Sequence, residues 1–263
     1  MRTILVINSK GGSGKTTLTT NLASYFASQN IRTAILDCDP QGSSLQWLRQ
    51  RPAHFPPIHG ANAAPPAGAT QLASQKRWVP DNTETLIIDA PAGVKGLLLK
   101  DLVRRSTFIL IPVSPSPVDI HASADFVKDL FLVGGARVSN AKIAVVANRV
   151  RLSSPTYEPL ERFLNALKLP FLTRISDSDN YIHAVGSGMG VFEMDEATTL
   201  AERKEFMPIL NWLGEQLLAS PETVKPVRES SLERTGRFTE LYSTGKMVIA
   251  NILNATGRFK AKP

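Results

Sequence analysis

The sequence predicts an α/β protein: a mainly parallel, twisted sheet flanked by helices on both faces, followed by a helical C-terminal extension. Three observations carry that expectation. Short, near-continuous apolar runs recur at intervals suited to βαβ units, as expected of strands buried on both faces. The first run leads through a glycine-rich loop into a helix-like stretch, the strand–loop–helix order of a phosphate-binding unit. Composition is that of an ordinary globular chain, with 43% apolar and 20% charged residues in 263, and changes only near residue 220.

The strand candidates are Ile4–Ile7, Thr33–Leu36, Thr85–Ile88, Phe108–Val113, Lys142–Ala147 and, more weakly, Pro170–Thr173. Helices are expected at about 17–29, 117–133, 156–168, 179–187 and 196–218. Ser154 or Thr156 is a candidate N-cap for the third of these, with Pro155 just inside its start. Residues 51–80, rich in proline, alanine and glycine, read as mostly irregular with one short helix around 69–75. Two domains follow: 1–220, and a basic extension, 221–263.

The bulk properties exclude several classes. No apolar run approaches the length of a membrane span, and the N-terminus enters a core strand too soon to leave room for a signal peptide. The single cysteine, Cys38, allows no internal disulfide, fits a reducing cytosol, and weighs against an iron–sulfur cluster. The four histidines show no metal-ligand spacing, and Trp47, Trp78 and Trp212 read as packing residues. A net charge of +7 with a pI near 9.6 favours an anionic partner such as nucleic acid or a lipid surface. Residues 221–263 hold eight Lys/Arg against four Glu, which is +4 of that total. Phe238, Leu241, Tyr242, Gly245, Val248, Ile252 and Phe259 recur there at helical spacing. Thr-Gly-Arg-Phe also occurs twice, at 235–238 and 256–259.

The loop Asn8-Ser9-Lys10-Gly11-Gly12-Ser13-Gly14-Lys15-Thr16-Thr17 has the makings of a P-loop. Glycines let the backbone wrap a phosphate chain so that successive N–H groups and a helix N-terminus face anionic oxygens. Gly11, Gly12, Ser13, Gly14, Lys15, Thr16 and Thr17 are therefore the nucleotide-binding candidates. Lys15 reaches the β- and γ-phosphates, and the Thr16 hydroxyl ligates Mg²⁺. The strict pattern wants glycine where this chain has Ser9, and it adds a second lysine, Lys10.

A loop of the form xKGGxGK[ST]T resembles the deviant Walker A motif of the ParA/MinD family of ATPases. The resemblance implies a three-layer P-loop NTPase fold and a homodimer closed around two ATP molecules, with Lys10 reaching the partner's nucleotide. Asp37 and Asp39 stand at a strand's C-terminal end, where ligands gather in open α/β sheets, and alternation sends both carboxylates to one side. From the residues alone, two acids before a helix serve equally well as caps. The stretch Asp37-Cys38-Asp39-Pro40-Gln41-Gly42 is similar to the family's DxDPQG segment, which implies that Asp37 holds the Mg²⁺ water shell and Asp39 orients the hydrolytic water. Leu86-Ile87-Ile88-Asp89 resembles a Walker B strand, implying that Asp89 meets Mg²⁺ through water. Ala92 departs slightly from the usual Asp-x-Pro-Pro. Ile111-Pro112-Val113-Ser114-Pro115-Ser116-Pro117-Val118-Asp119 is similar to the PVxPSPxD stretch of the family's smaller members, with the role of Asp119 open. Asn148-Arg149 matches the position of an adenine-reading asparagine, although asparagine at a strand end is also a common turn residue. The guanine-reading Asn-Lys-x-Asp pattern is absent, so ATP is expected over GTP. Ile182–Glu193 resembles the family's closing segment, in which an alanine is followed by GxxVFE, and extends the likeness over residues 1–217.

The function this implies is slow, partner-stimulated ATP hydrolysis, with Lys10, Lys15 and Asp39 as catalytic residues. It would time a switch on nonspecific DNA that partitions a plasmid or chromosome, or positions a large cargo, through a ParB-like or cargo-linked adaptor. The expected location is cytoplasmic and nucleoid-associated. Arg149, Arg151, Arg174, Arg203 and Lys204 are the candidate DNA contacts, although each reads equally well as a solvated charge. A MinD-like membrane attachment through the amphipathic tail is the alternative. A P-loop biosynthetic ligase fits less well, because no added substrate domain is visible.

Overall fold

The computed structural model describes residues 1–65, 79–136 and 139–218. The elements run β1 (Arg2–Val6), α1 (Lys15–Ser28), β2 (Thr33–Asp37), α2 (Ser43–Gln50), β3 (Ile58–Asn62), β4 (Thr85–Asp89), α3 (Gly96–Arg104), β5 (Phe108–Val113), α4 (Pro117–Leu132), β6 (Lys142–Val150), α5 (Tyr157–Ala166), β7 (Phe171–Ser176), α6 (Asp179–Gly186) and α7 (Glu196–Leu218). Seven strands form one sheet in the order β3-β2-β4-β1-β5-β6-β7, and every pair is parallel.

Side-chain alternation along the strands divides the core into two layers. Leu5, Leu36, Leu86, Ile88, Ile109, Ile111 and Val145 face one side, packed with Leu99 and Leu102 of α3, Phe126 and Leu130 of α4, and Leu160 and Phe163 of α5. Ile4, Val6, Ile35, Ile87, Leu110 and Val146 face the other, against Leu18 and Leu22 of α1, Trp47 of α2, Tyr181 of α6, and Phe206, Ile209 and Leu213 of α7. The expected three-layer architecture is the one observed. Trp47 and Trp212 are packing residues: Trp47 is buried and donates its indole N–H to the Met189 carbonyl (3.1 Å), and Trp212 meets Phe108 edge-on.

The fold departs from the sequence expectations at four places. Residues 58–62, expected to be irregular, form edge strand β3, paired in register from Thr33↔Ile58 to Asp37↔Asn62. Its sequence, Ile-His-Gly-Ala-Asn, shows no apolar run because an edge strand needs none, and Gly60 is where a Cβ would collide with Leu45 and Leu48 of α2. Helices α2 and α3 are additions to the expected set. Both are short, at eight and nine residues, too few turns for a clear period. Helix α5 starts at Tyr157 with neither cap made: Ser154 Oγ and Thr156 Oγ1 hydrogen-bond each other (2.7 Å). Pro155 therefore precedes the helix instead of opening it. Strand β6 runs on to Val150, with irregular pairing to β7 after Val145. The short helix around 69–75 and the extension 221–263 lie outside the described residues.

Helix α6 begins on Ser178, whose Oγ accepts from the Asn180 N–H (3.2 Å). The GxxVFE-like segment seals the sheet's helix layer at α1. The Val191 N–H donates to Asn21 Oδ1 (2.8 Å), and a Cβ on Gly190 would overlap Ser24. Glu193 forms a buried bidentate pair with Arg51, which also lies over the Trp47 and Phe55 rings. Among the described residues, no helix is long and apolar enough to cross a membrane.

Candidate nucleotide site

The loop between β1 and α1 turns sharply at Gly12 and Gly14, which hold φ of +75° and +93°. L side chains rarely adopt either conformation. At Gly14 there is a second constraint, because an added Cβ would overlap the Asn148 amide. Lys15, the first residue of α1, is buried, and its ammonium donates to the Lys10 carbonyl (3.1 Å). Burial pushes its pKa down, and the charges of Asp89 and Asp39 oppose that shift. Lys15 is thus a desolvated cation curled back onto its own loop, well placed to exchange a carbonyl for phosphate oxygens. Lys10 differs. Its side chain is 40% exposed and its ammonium lies 3.6 Å from Asp119 Oδ1, in the first turn of α4. A solvent-screened pair of this kind is worth about 0–1 kcal/mol, so Lys10 is held only lightly.

The three acids play three distinct parts. Asp37 and Asp89 are register partners at the C-terminal ends of β2 and β4, and both are buried. Asp37 is fully engaged by the protein. Its Oδ2 accepts from the Ser44 N–H (3.1 Å), Ser44 Oγ (2.7 Å) and the Leu45 N–H (3.2 Å), and its Oδ1 accepts from the Asp39 N–H (3.0 Å). Four donors from the first turn of α2 and the chain leading to it make Asp37 an anchor for that helix's N-terminus. The cap reading left open by the sequence is therefore occupied here. Asp39 is more accessible. Its Oδ1 accepts from the Gln41 N–H (2.9 Å) and its Oδ2 from the Ala92 N–H (3.2 Å), which ties the turn after β2 to the loop after β4.

Asp89 accepts from the Thr16 hydroxyl (2.9 Å) through Oδ2. Its Oδ1 is buried with no hydrogen-bond partner among the described residues. Burial, reinforced by neighbouring Asp37, pushes its carboxyl up to about 7. An orphaned carboxylate oxygen beside a threonine hydroxyl is a hard-oxygen donor set of the kind Mg²⁺ takes. The residues present therefore fit that ion: Thr16 and Asp89 would hold it, and Asp37 would add negative charge from behind.

An open cleft of about 670 Å³ runs over the loop. It is lined by Gly11, Gly12, Gly14, Lys15, Thr16, Thr17, Asp39, Pro40, Gln41, Ser43, Pro91, Ala92 and Arg149. Pro40, Gln41, Ser43, Pro91 and Ala92 are not among the sequence candidates, although all but Ser43 belong to the two acidic motifs that hold Asp37, Asp39 and Asp89. Asn148 is buried behind the loop, where its Nδ2 donates to the Ser13 carbonyl (2.8 Å). That bond sets the amide's orientation and leaves Oδ1 as the atom available to a base. Arg149 holds a left-handed φ of +56°, which carries its side chain to the cleft's rim, near Asp177 (3.8 Å).

The basic candidates separate on inspection. Arg203 is turned inward as a strut. Its guanidinium donates to the carbonyls of Val191, Phe192 and Met194, and it lies over the Phe192 ring. Its expected DNA role has no free guanidinium face to support it. Arg151 pairs with Asp177 and Arg174 with Glu161 in exposed bridges, and Lys204 is exposed. Among the described residues no group of three or more acidic, histidine or cysteine side chains could hold a metal ion on its own.

A glycine-cradled anion site at the carboxyl edge of a parallel sheet, with a buried lysine and an orphaned acid, defines a P-loop nucleotide-binding protein. The family model for the CobQ/CobB/MinD/ParA nucleotide-binding domain matches residues 4–191, and the chain belongs to that family of P-loop ATPases. It is 29% identical over 199 residues to the maintenance of carboxysome distribution protein A of Halothiobacillus neapolitanus, covering 73% of this chain and 87% of that one. It is 24% identical over 251 residues to the protein IncC of Escherichia coli, covering 81% and 69%. Among solved structures, the ATP complex of a Cyanothece McdA variant superposes with a TM-score of 0.59 at 17% identity, covering 86% of this chain and 99% of that chain. MinD in the Aquifex aeolicus MinC:MinD complex gives 0.59 at 16%, covering 88% and 100%. At such identities the superpositions establish the fold.

Proposed function

We propose that this protein is an ATP-driven positioning switch: it closes as a homodimer around two ATP molecules, holds nonspecific DNA in that state, and releases it when an adaptor protein stimulates hydrolysis. The observation that carries the reading is Lys10. Its backbone is part of the phosphate loop and its carbonyl receives Lys15, yet its own ammonium points to Asp119 and away from the cleft that Lys15 lines. A second loop lysine that does not serve its own cleft is suited to serve a partner's. The relatives named for carboxysome distribution and, among shorter matches, chromosome partitioning support a cargo of that scale.

Hydrolysis would proceed by in-line attack of water on the γ-phosphate, oriented by Asp39, with the developing charge met by Lys15, by Lys10 of the second subunit and by loop N–H groups. Thr16 and Asp89 would hold Mg²⁺, which would supply positive charge beside the phosphates. Of the sequence candidates, Arg149, Arg151 and Arg174 keep a face for DNA phosphates, because the exposed bridges they make are each worth no more than about 1 kcal/mol, and Lys204 is exposed.

The test is sedimentation of the full chain with ATP, with ADP and without nucleotide, together with retention on nonspecific duplex DNA. Dimers and DNA retention that require ATP support the reading, as does their loss in Lys10→Ala. A Lys10→Ala protein that dimerises and turns over normally would overturn the role given to Lys10. Sedimentation with anionic liposomes instead of DNA would replace DNA by a membrane, and turnover that needs a small-molecule acceptor would replace the switch by a ligase.

A further inference from the structure

We propose that Asn8 is a positioning residue for Lys10, setting the phosphate-loop lysine from the floor of the sheet and linking it to α4. The inference rests on Lys10 acting in ATP turnover. Asn8 is fully buried and uses its whole amide. Oδ1 accepts from the Lys10 N–H (3.2 Å), while Nδ2 donates to the Pro112 carbonyl on β5 (2.7 Å) and to Ser123 Oγ on α4 (2.9 Å). A short side chain with one acceptor and two donors is needed at this point. Aspartate lacks the donors, and serine or threonine has only one.

The Lys10 peptide is thereby gripped from both sides. Its N–H is held by Asn8 and its carbonyl by the Lys15 ammonium. Helix α4 reaches Lys10 by two routes, one through Asn8 and one direct. Ser123 meets Asn8, and Asp119, one turn earlier on the same helix face, meets the Lys10 ammonium. Backbone and side chain of Lys10 thus answer to a single helix, and Asn8 is the rigid half of the connection. Because buried polar networks couple their members, a shift of α4 would move the direction in which Lys10 leaves the loop while the phosphate-binding glycines stay in place.

The test is a double-mutant cycle on the full chain, with turnover and the affinity of a fluorescent ATP analogue measured for wild type, Asn8→Ala, Lys10→Ala and the double variant. Asn8→Ala should lower turnover by about tenfold or more while leaving analogue affinity within about threefold, and in the Lys10→Ala background it should cost less than about twofold further. Full additivity, or a loss of affinity as large as the loss of turnover, would show a residue that merely holds the loop and overturns the inference. Should Asn8→Ala not fold, Ser123→Ala, which removes one of its three hydrogen bonds, carries the same comparison with a smaller effect of the same sign. A wild-type protein without turnover contradicts the proposed function, and Asn8 is then judged by hydrogen exchange at the Lys10 amide. Exchange accelerated about tenfold in Asn8→Ala supports the positioning role, and an unchanged rate overturns it.

Discussion

Asp89 illustrates how a site residue is shaped by what surrounds it. Its strand buries it beside Asp37, its Oδ1 finds no donor among the described residues, and its carboxyl is pushed up to about 7. In the absence of magnesium this is a stability cost carried for a binding role, since a buried carboxylate is stable only when paired or hydrogen-bonded. Asp89→Asn should therefore raise the melting temperature of the metal-free protein at pH 8, by about 2–4 °C for each kcal/mol of relieved desolvation. It should also abolish the magnesium dependence of nucleotide affinity. Scanning calorimetry and titration with and without Mg²⁺ check both halves, and a lower melting temperature would show that the carboxylate was already satisfied. Asp37 is the counter-example at the same scale. Its four hydrogen bonds make it a helix anchor as well as an acid of the site. Asp37→Ala is accordingly expected to destabilise the fold, by roughly 1–3 kcal/mol in urea unfolding, beyond any effect on turnover.

At the scale of elements, the least legible part of the chain was the stretch after α2. Strand β3 has an edge position and a polar sequence, so its membership of the sheet rests on backbone pairing with β2 and on the fit of Gly60 under Leu45 and Leu48. Gly60→Val should cost about 1–3 kcal/mol through overpacking, although valine is by far the better strand former. A neutral or stabilising Gly60→Val in denaturant titration would refute that packing. Nearby, Arg51 and Glu193 tie the chain after α2 to the segment packed on α1, in a pair with side chains only 6% and 2% exposed. Removing one partner leaves a buried charge, so Arg51→Ala should destabilise by about 3–5 kcal/mol. The GxxVFE-like motif, met in the sequence as a family mark, thereby acquires a physical role: its glutamate clamps Arg51, and Gly190, just before its valine, clears Ser24.

For the whole molecule, charge and its distribution set the expectations. The described candidates Arg149, Arg151, Arg174 and Lys204 lie on the domain, while +4 of the +7 net charge belongs to residues 221–263. If DNA is held electrostatically, log affinity falls linearly with log salt, with a slope of about −0.9 for each phosphate neutralised. Deleting residues 221–263 should leave nucleotide affinity unchanged and make that slope shallower. An unchanged slope would place the DNA contacts entirely on the domain.

Much of the fold and of the candidate site was legible because its signals are local. Five of the seven strands are dense apolar runs, as burial on both faces of a parallel sheet demands. The phosphate loop must be contiguous, since successive N–H groups of one turn make the anion cradle, so Lys10, Lys15 and Thr16 could be named from spacing. What spacing could not supply was partnership across the sheet. That Asp37 caps α2, that Arg203 braces the 191–194 segment, that Asn148 sits behind Gly14, and that Asn8 joins Lys10 to Ser123 all depend on contacts closed only when distant segments pack. A local motif states which groups are present. Where their hydrogen bonds go is settled by the neighbours the folded chain brings against them.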